Sequence, residues 1–185
     1  MILPIFTLGS DVLRSPAATV DGDSAEIQQL IDNMIQTMHA ASGIGLAAPQ
    51  IGVSQRIFTV DLTPVIEDLE EDAEIPDQPM VFINPVLSNP DEEESIFEEG
   101  CLSIPDIRED VARPVAIEVE YYDRNFEKQS LVADGLLARV VQHEFDHLEG
   151  VLFLDYLSPF RKRLLKRRLN DIVEGRIEAD YLLAE

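Results

Sequence analysis

The stretch His143-Glu144-Phe145-Asp146-His147 constrains this chain more than any other part of its sequence. In an α-helix, residues four apart lie on one face and about 6 Å apart along the axis, so two imidazoles can point at one metal ion. Glu144 lies about 100° around the helix from His143, where a carboxylate can act as a general base without being a ligand. We therefore predict a helix that begins near residue 134 and ends at Gly150, a typical C-terminal glycine. The alternative is an ordinary amphipathic helix that carries two histidines by chance.

A metal held by two histidines needs a further protein ligand, because catalytic sites of this type use three ligands and keep one position for water. Cys101 is a candidate for that ligand, since it is the only cysteine of the chain and follows a predicted strand. Two other interpretations stay open at this point: a buried apolar side chain, or a nucleophile that needs a base and an orienting partner. His39, the third histidine, has no spaced partner and is predicted to be a surface or packing residue.

Charge and composition restrict the class of protein. A single cysteine excludes an internal disulfide, which favours a reduced, cytoplasmic protein. No stretch approaches the ~20 apolar residues of a membrane span, so we expect no membrane association. The formal net charge of −22, from 14 basic and 36 acidic residues, argues against a protein held mainly by nucleic-acid phosphates. Residues 62–80 concentrate acidic side chains and prolines, and we predict that they form a solvated surface loop.

The order of predicted elements indicates the fold class. Apolar residues at helical spacing predict a helix from Asp23 to about Ala41, with Glu26 completing a capping box. Strands are predicted at 56–62, 80–87, 95–99, 115–122 and 127–132, the last two forming a hairpin. We therefore expect an α+β fold with antiparallel or mixed sheets packed around the central metal-binding helix, an N-terminal helix and a C-terminal helix. At 185 residues the chain is predicted to form a single domain over 1–185.

The last predicted helix begins at Ser158-Pro159, a good N-cap and first-turn pair, so that 158–185 forms a C-terminal basic helix and tail. Six of the 14 basic residues fall within eight positions of this helix: Arg161, Lys162, Arg163, Lys166, Arg167 and Arg168. The pattern is typical either of a solvated helix face or of a surface that contacts an anionic partner such as RNA. The residues alone leave both interpretations open.

Three separate stretches carry a resemblance to a known family. They are Gly43-Ile44-Gly45-Leu46-Ala47-Ala48-Pro49-Gln50, Glu99-Gly100-Cys101-Leu102-Ser103 and Gln142-His143-Glu144-Phe145-Asp146-His147-Leu148. In this order they resemble the three signature motifs of the bacterial peptide deformylases, and the resemblance extends over roughly residues 1–160, including Asp11-Val12-Leu13-Arg14. It implies an enzyme that removes the formyl group from the N-terminal formylmethionine of new polypeptides and releases formate.

The resemblance also implies roles for individual residues. The implied metal ligands are Cys101, His143 and His147. Glu144 would take a proton from the attacking water and pass it to the departing amine, while the Leu102 backbone N–H and the Gln50 side chain would stabilise the oxyanion. The implied substrate-binding residues are Gly45, through its backbone, with Ile44, Phe97, Leu136 and Val140 lining a methionine pocket and Arg139 and Arg108 near its mouth.

The resemblance extends to a cofactor and to partners. It implies Fe²⁺ as the native ion, while the ligand types also admit Zn²⁺, Ni²⁺ or Co²⁺ in a purified sample. An iron–thiolate site is expected to be sensitive to oxygen. The implied partners are N-formylmethionyl nascent peptides and the ribosome near its exit tunnel, contacted by the basic helix. We expect a monomer.

Two other functions are also compatible with this sequence. A zinc endopeptidase of the H-E-x-x-H class would take its third ligand from downstream, and although no histidine follows His147, Glu149, Glu174 and Glu178 are available. Cleavage of internal peptide bonds without preference for a formyl group would favour that alternative. A non-catalytic, metal-stabilised binding module is the second alternative, and absence of formate release by the metal-loaded protein would favour it.

Overall fold

The computed structural model describes residues 1–68 and 76–184 and has an α+β fold. The predicted acidic loop is therefore only partly covered, and residues 69–75 at its centre lie outside the described residues. None of the described helices is long and apolar enough to cross a membrane. The three α-helices are α1 (Ala25–Ala40), α2 (Gly135–Leu148) and α3 (Pro159–Val173).

Helix α1 begins one residue later than its sequence pattern predicts. Ser24, and not Asp23, is the N-cap, and its hydroxyl accepts a hydrogen bond of 3.2 Å from the Ile27 backbone N–H. Glu26 consequently lies in the first turn without completing a capping box with Asp23. The predicted apolar stripe is confirmed, because Ile27 and Met34 are among its buried residues.

The strands form two antiparallel sheets. One sheet has five strands in the order β1-β2-β3-β6-β7, and the other consists of β4 and β5. The strands are β1 (Gly45–Ala47), β2 (Ile57–Val60), β3 (Met80–Ser88), β4 (Glu94–Cys101), β5 (Ile104–Pro114), β6 (Ala116–Tyr122) and β7 (Lys128–Asp134).

The five-stranded sheet lies between α1 and α2. Along β3, Val81 and Ile83 pack in the cluster that contains the apolar face of α1, whereas Met80 and Phe82 pack in the cluster that contains α2. This alternation is what a strand buried on both faces requires. A third cluster joins β5 to α3 and to the 3₁₀ turn Phe153–Tyr156. Helix α2 thus lies at the centre of the fold, with one sheet on each side, as the sequence predicts.

The connectivity of the strands goes beyond the sequence-based expectations. The consecutive strands β3 and β4 belong to different sheets. Strand β5 was not predicted at all, although its burial alternates over most of its length. The hairpin of β6 and β7 is confirmed, with Ile117 opposite Ala133.

Candidate metal centre

Helix α2 and the end of β4 bring three potential ligands together. His143 and His147 are both buried on α2, and their ring centroids lie 5.2 Å apart. Cys101 ends β4 and pairs with Ile104, so that Leu102 and Ser103 form a tight turn between β4 and β5. The Cys101 Sγ lies 3.3 Å from the His147 Nε2, and one ligand atom from each of the three residues lies within 4.8 Å of the others.

The donor set fits one divalent transition-metal ion. In a tetrahedral site with metal–sulfur and metal–nitrogen bonds of about 2.3 and 2.0 Å, sulfur and nitrogen ligands lie about 3.5 Å apart. The observed 3.3 Å between the Cys101 Sγ and the His147 Nε2 is close to that spacing. Thiolate and imidazole are ligands typical of zinc, iron, cobalt and nickel. The expected third ligand therefore lies where the two histidines need it.

Glu99 fixes the orientation of His143. Its Oε2 lies 2.9 Å from the His143 Nδ1. Burial alone would raise the pKa of Glu99, but hydrogen bonds from His143 and Arg113 outweigh burial and lower the pKa to about 2. Glu99 is thus an ionised acceptor for the His143 Nδ1, which leaves Nε2 as the ring nitrogen that could bind a metal ion. Carboxylates behind metal-binding histidines commonly act in this way.

Two arginines hold Glu99 in place. Arg113 donates from Nε to Oε1 at 2.7 Å and from Nη2 to Oε2 at 3.0 Å, and Arg139 donates from Nη1 to Oε1 at 2.9 Å. Arg113 also donates to Asp146 of α2 at 2.7 Å, and its guanidinium stacks on the Tyr156 ring at 4.6 Å. Arg113 is 3% exposed and Glu99 is 5% exposed, so these charges compensate one another away from water.

The Gln50 side chain is oriented toward the sulfur of Cys101. Its Oε1 accepts a hydrogen bond of 2.8 Å from the Ala47 backbone N–H, which leaves the amide nitrogen to point the other way. Nε2 donates to the Cys101 Sγ at 3.4 Å and to the Ser103 Oγ at 3.3 Å. The amide donor is thus held beside the residue that precedes Leu102.

Glu144 is buried beside the histidines, with 4% of its surface exposed. Burial raises the pKa of Glu144 to about 7, against the lowering effect of His143. Its Oε2 and the His147 Nδ1 are buried atoms that have no hydrogen-bond partner among the described residues. A buried oxygen without a hydrogen-bond partner, next to three potential metal ligands, indicates a site that binds solvent or substrate.

A cleft of about 1160 Å³ opens in front of these residues. Every residue predicted for the site lines it except His147, a candidate ligand that is 1% exposed. Arg108 is exposed at the rim, whereas the Arg139 guanidinium is buried against Glu99 and the Ser95 carbonyl. Arg139 therefore contacts the cleft from within its wall.

The profile of the polypeptide deformylase family matches residues 2–163. This match covers most of the chain and all three motifs. The chain belongs to the peptide deformylase family. The peptide deformylase of Salinibacter ruber is 56% identical over 99% of this chain and 94% of its own length, and that of Christiangramia forsetii is 48% identical over 98% and 94%.

Solved deformylase structures share the fold. The crystal structure of the Ehrlichia chaffeensis enzyme superposes with a TM-score of 0.85 at 36% identity, covering 95% of this chain and 97% of that one. Another from that organism, solved in complex with actinonin, has a TM-score of 0.84 at 35% identity and covers 96% and 99%. This deformylase therefore hydrolyses the formyl amide of N-formylmethionyl nascent peptides, in a family whose members depend on a metal.

The endopeptidase alternative is not favoured in this deformylase. The relatives compared with it are deformylases, and among the described residues the metal-type cluster comprises Cys101, His143 and His147 without any downstream glutamate. His39, predicted to be no ligand, instead lies 2.7 Å from Asp61 and outside that cluster.

Sequence reasoning missed the groups that support the site. Glu99 is the first residue of the second motif. Metal-binding histidines commonly donate a hydrogen bond to a carboxylate, and this rule could have identified Glu99 as that carboxylate. Arg113 and Tyr156 gave no local signal, because only the pairing of β4 with β5 and the turn after α2 bring them to Glu99 and Asp146.

Gly45 is required for space beside the deformylase's buried glutamate. A Cβ added there would lie 2.8 Å from the Glu144 Cδ, too close for an undisturbed carboxylate. We expect Gly45→Ala to displace Glu144 and to lower kcat for formate release by about 10- to 10²-fold, since displacements of about 1 Å have effects of that size. The control is Gly22→Ala, where an added Cβ meets no atom within 4 Å and kcat should be unchanged. Equal kcat values for the two variants would contradict this role of Gly45.

Proposed function

We propose that Cys101, His143 and His147 bind one divalent metal ion and that the substrate's formyl amide is hydrolysed at this centre. The observation that carries the proposal is the convergence of a β-strand thiol with a helical histidine pair, within 4.8 Å, at the wall of a large cleft. A divalent ion bound there would act as a Lewis acid and make water available as a nucleophile near neutral pH.

Glu144 is the proposed general base. It accepts a proton from the attacking water through its unpaired Oε2 and then gives that proton to the departing amine of the peptide. Its burial keeps the carboxyl away from bulk solvent, so that the proton stays within the site. Its position next to His143 on α2 places it on the side of the helix that faces the cleft.

The proposed oxyanion donors are the Gln50 side-chain amide and the Leu102 backbone N–H. The support for Gln50 is its fixed orientation, since the Ala47 N–H binds its oxygen and turns its NH₂ group toward Cys101. Each such donor contributes to turnover only when it is held in place before the charge develops. Leu102, in the turn after Cys101, is adjacent to that amide.

The proposed substrate backbone lies along the free edge of β1. In the five-stranded sheet, β1 is an outer strand that pairs with β2 on one side. A peptide can add to such an edge through main-chain hydrogen bonds, and Gly45 offers a backbone without a side chain. The methionine side chain would enter the apolar part of the cleft, which is lined by Ile44, Phe97, Leu136 and Val140. We propose that actinonin, bound in the solved Ehrlichia enzyme, binds in the same cleft here.

The native ion is proposed to be Fe²⁺, with Zn²⁺, Ni²⁺ or Co²⁺ as substitutes in a purified sample. The thiolate of Cys101 cancels part of the ion's charge and favours these softer metals over calcium or magnesium. Loss of activity on exposure to air, reversed by anaerobic reloading with Fe²⁺, would support iron. Activity that is stable in air in an iron-loaded sample would contradict it.

Replacement of Cys101 tests the ligand set directly. We expect Cys101→Ser to lower metal affinity at least about tenfold, because a hydroxyl is a harder and poorer ligand for these ions. Metal content per chain, measured after dialysis against a graded chelator, gives the affinity. Unchanged metal retention would remove Cys101 from the proposed ligands.

Formate release is the experiment that tests the reaction itself. Anaerobic assays that measure the newly freed α-amino group should show hydrolysis of formyl-Met peptides, with release of formate, and no hydrolysis of matched acetyl-Met peptides. Cleavage of internal peptide bonds in both would select the endopeptidase, and no release by the metal-loaded enzyme would select a binding module. Metal analysis of the same sample makes the last result interpretable.

Helix α3 is the proposed ribosome contact, but only part of its basic set is available for this role. Arg161 donates to both oxygens of Glu109, at 2.7 and 2.6 Å, and Arg168 donates to the Asp106 carbonyl. These two arginines hold α3 against β5. Arg163 and its neighbours on the outer face are exposed, together with the large apolar side chain Leu164, which is 58% exposed.

The outer basic residues of α3 can be removed without loosening the helix. We expect the triple change Arg163→Gln, Lys166→Gln and Arg167→Gln to reduce co-sedimentation with ribosomes several-fold at low salt, since phosphate contacts depend on charge. Turnover of short formyl-Met peptides should stay unchanged. The control removes basic residues far from α3, at Arg124 and Lys128, and should co-sediment normally. Equal co-sedimentation of both variants would contradict a ribosome contact and would mean that the basic residues of α3 form only a solvated helix face. A monomeric, cytoplasmic enzyme built as one domain stays our prediction.

A further inference from the structure

The segment 177–184 returns from the end of α3 to the N-terminal part of the chain. Leu183 forms a parallel bridge with Ile5, flanked by hydrogen bonds from the Ile5 N–H to the Leu182 carbonyl, at 2.8 Å, and from the Ala184 N–H to the Ile5 carbonyl, at 2.9 Å. Two backbone hydrogen bonds and a shared apolar cluster therefore fix this segment on the body of the protein.

Tyr181 of this segment contacts the turn formed by Leu102 and Ser103, which we call the catalytic turn. Its hydroxyl donates a hydrogen bond of 2.7 Å to the Leu102 backbone carbonyl. The ring is partly buried, packs with Leu102 against the cluster that contains Ile5, and forms part of the wall of the cleft. The aromatic ring thus has a fixed body and a polar tip that is directed at one backbone atom.

The Leu102 carbonyl needs such a partner because of where it lies. Leu102 and Ser103 occupy the two positions between the paired residues Cys101 and Ile104, outside the ladder of β4 and β5. Ser103 is held from the other side, since its carbonyl accepts a hydrogen bond of 2.9 Å from the Leu8 N–H. The Leu102 N–H lies in the peptide plane shared with Cys101, and the Leu102 carbonyl lies in the plane shared with Ser103; the φ and ψ of Leu102 join the two planes. Because Cys101 is held by its pairing with Ile104, a donor on the Leu102 carbonyl limits both dihedrals and so the orientation of the Leu102 N–H.

The same N-terminal segment holds the neighbouring parts of the site. Ile5 binds residues 182 and 184, the Phe6 N–H donates to the Gln50 carbonyl at 2.7 Å, and the Leu8 N–H donates to the Ser103 carbonyl. Residues 5–8 therefore align the C-terminal segment, Gln50 and the catalytic turn in one layer. The family match ends at residue 163, so the C-terminal member of this layer lies beyond the part of the chain that the family profile covers.

We propose that Tyr181 is a positioning residue for the reaction: its hydroxyl fixes the Leu102 carbonyl and thereby holds the Leu102 N–H in the orientation that stabilises the oxyanion. The inference rests on the proposed oxyanion role of Leu102. The segment 177–184 accordingly contributes to catalysis through Tyr181, and it forms one wall of the cleft whose other walls contain the three motifs.

The test is Tyr181→Phe in the full-length, metal-loaded enzyme, which removes one hydroxyl and keeps the ring. We expect kcat for formate release to fall about 3- to 10-fold, the effect of one lost hydrogen bond, while KM stays within about twofold. Metal content per chain should equal that of the wild type, and Tm should fall by no more than about 5 °C, the effect of one lost hydrogen bond on stability. The matched control is Tyr122→Phe, an exposed tyrosine on β6, and its kcat should not change.

Each outcome decides for or against the proposal. A fall in kcat at constant KM and metal content, with Tm lowered by no more than about 5 °C, supports it. An unchanged kcat overturns it, and so does a rise in KM alone, which would make Tyr181 only a wall of the cleft. A fall in kcat accompanied by loss of metal, or by a larger fall in Tm than one hydrogen bond explains, assigns the hydroxyl a structural role and also overturns it. If the wild type itself releases no formate, the proposed function fails instead, and the two failures are distinguishable.

Discussion

Replacement of Glu144 by glutamine is expected to lower kcat for formate release by at least ~10²-fold, with metal content unchanged. The glutamine keeps the size of the side chain in a position that is 4% exposed, so the packing of α2 should survive. It cannot accept the proton of the attacking water, and the amine of the peptide then departs without a proton donor. Steady-state kinetics together with metal analysis of the same preparation measure both parts of the prediction.

Glu149→Gln provides a matched control at the end of the same helix. Its carboxylate is 40% exposed and pairs with Arg56 at 2.6 Å, outside the cluster of candidate ligands. We expect kcat within about twofold of the wild type, because exposed ion pairs contribute little. A Glu144→Gln enzyme that turns over as fast as the Glu149→Gln enzyme would exclude the general-base role.

The second large effect is expected on stability. Arg113→Met removes both Arg113 hydrogen bonds to Glu99 and the cation beside Asp146, and it leaves a buried carboxylate with fewer partners. Breaking a buried ion pair by removing one partner costs about 3–5 kcal/mol, and we expect the lower end because Arg139 still binds Glu99. For a chain of this size a loss of about 3 kcal/mol lowers Tm by about 6–12 °C.

A surface arginine supplies the comparison. Arg124 pairs with Asp32 at 2.6 Å, but the two side chains are 42% and 43% exposed. Arg124→Met should therefore cost less than about 1 kcal/mol. Thermal and denaturant unfolding of both variants, in the same metal-loaded state, give the difference. Equal losses of stability would mean that the buried charges around Glu99 do not stabilise the native state more than a surface pair does.

The parts of the fold that follow from local sequence were predictable. The spacing of His143 and His147 requires a helix, and the structure has α2 at 135–148. The alternating pattern of the β6–β7 hairpin and the helical stripe of α1 are also local signals, and both elements are present. Cys101 could be proposed as a ligand because its motif follows a predicted strand.

The remainder depends on contacts between distant residues. Strand β5 contains three consecutive charged residues, at 108–110, and therefore gave a weak apolar signal. Its register with β4 depends on the turn at Leu102-Ser103. Arg113 meets Glu99 only through that register, and it meets Tyr156 only through the fold after α2. Tyr181 meets Leu102 across 79 positions of the chain. No short window of sequence contains such information.

The pairing of Ile5 with Leu183 has a consequence for how a copy of this enzyme matures. Proteins emerge from the ribosome starting at the N-terminus, so residues 5–8, Gln50 and the catalytic turn are exposed long before residues 177–184 are made. Until the later segment arrives, the Leu102 carbonyl lacks the Tyr181 hydroxyl and the layer around it is incomplete. The wall of the cleft that Tyr181 forms is therefore completed only after residues 177–184 have left the ribosome and paired with Ile5.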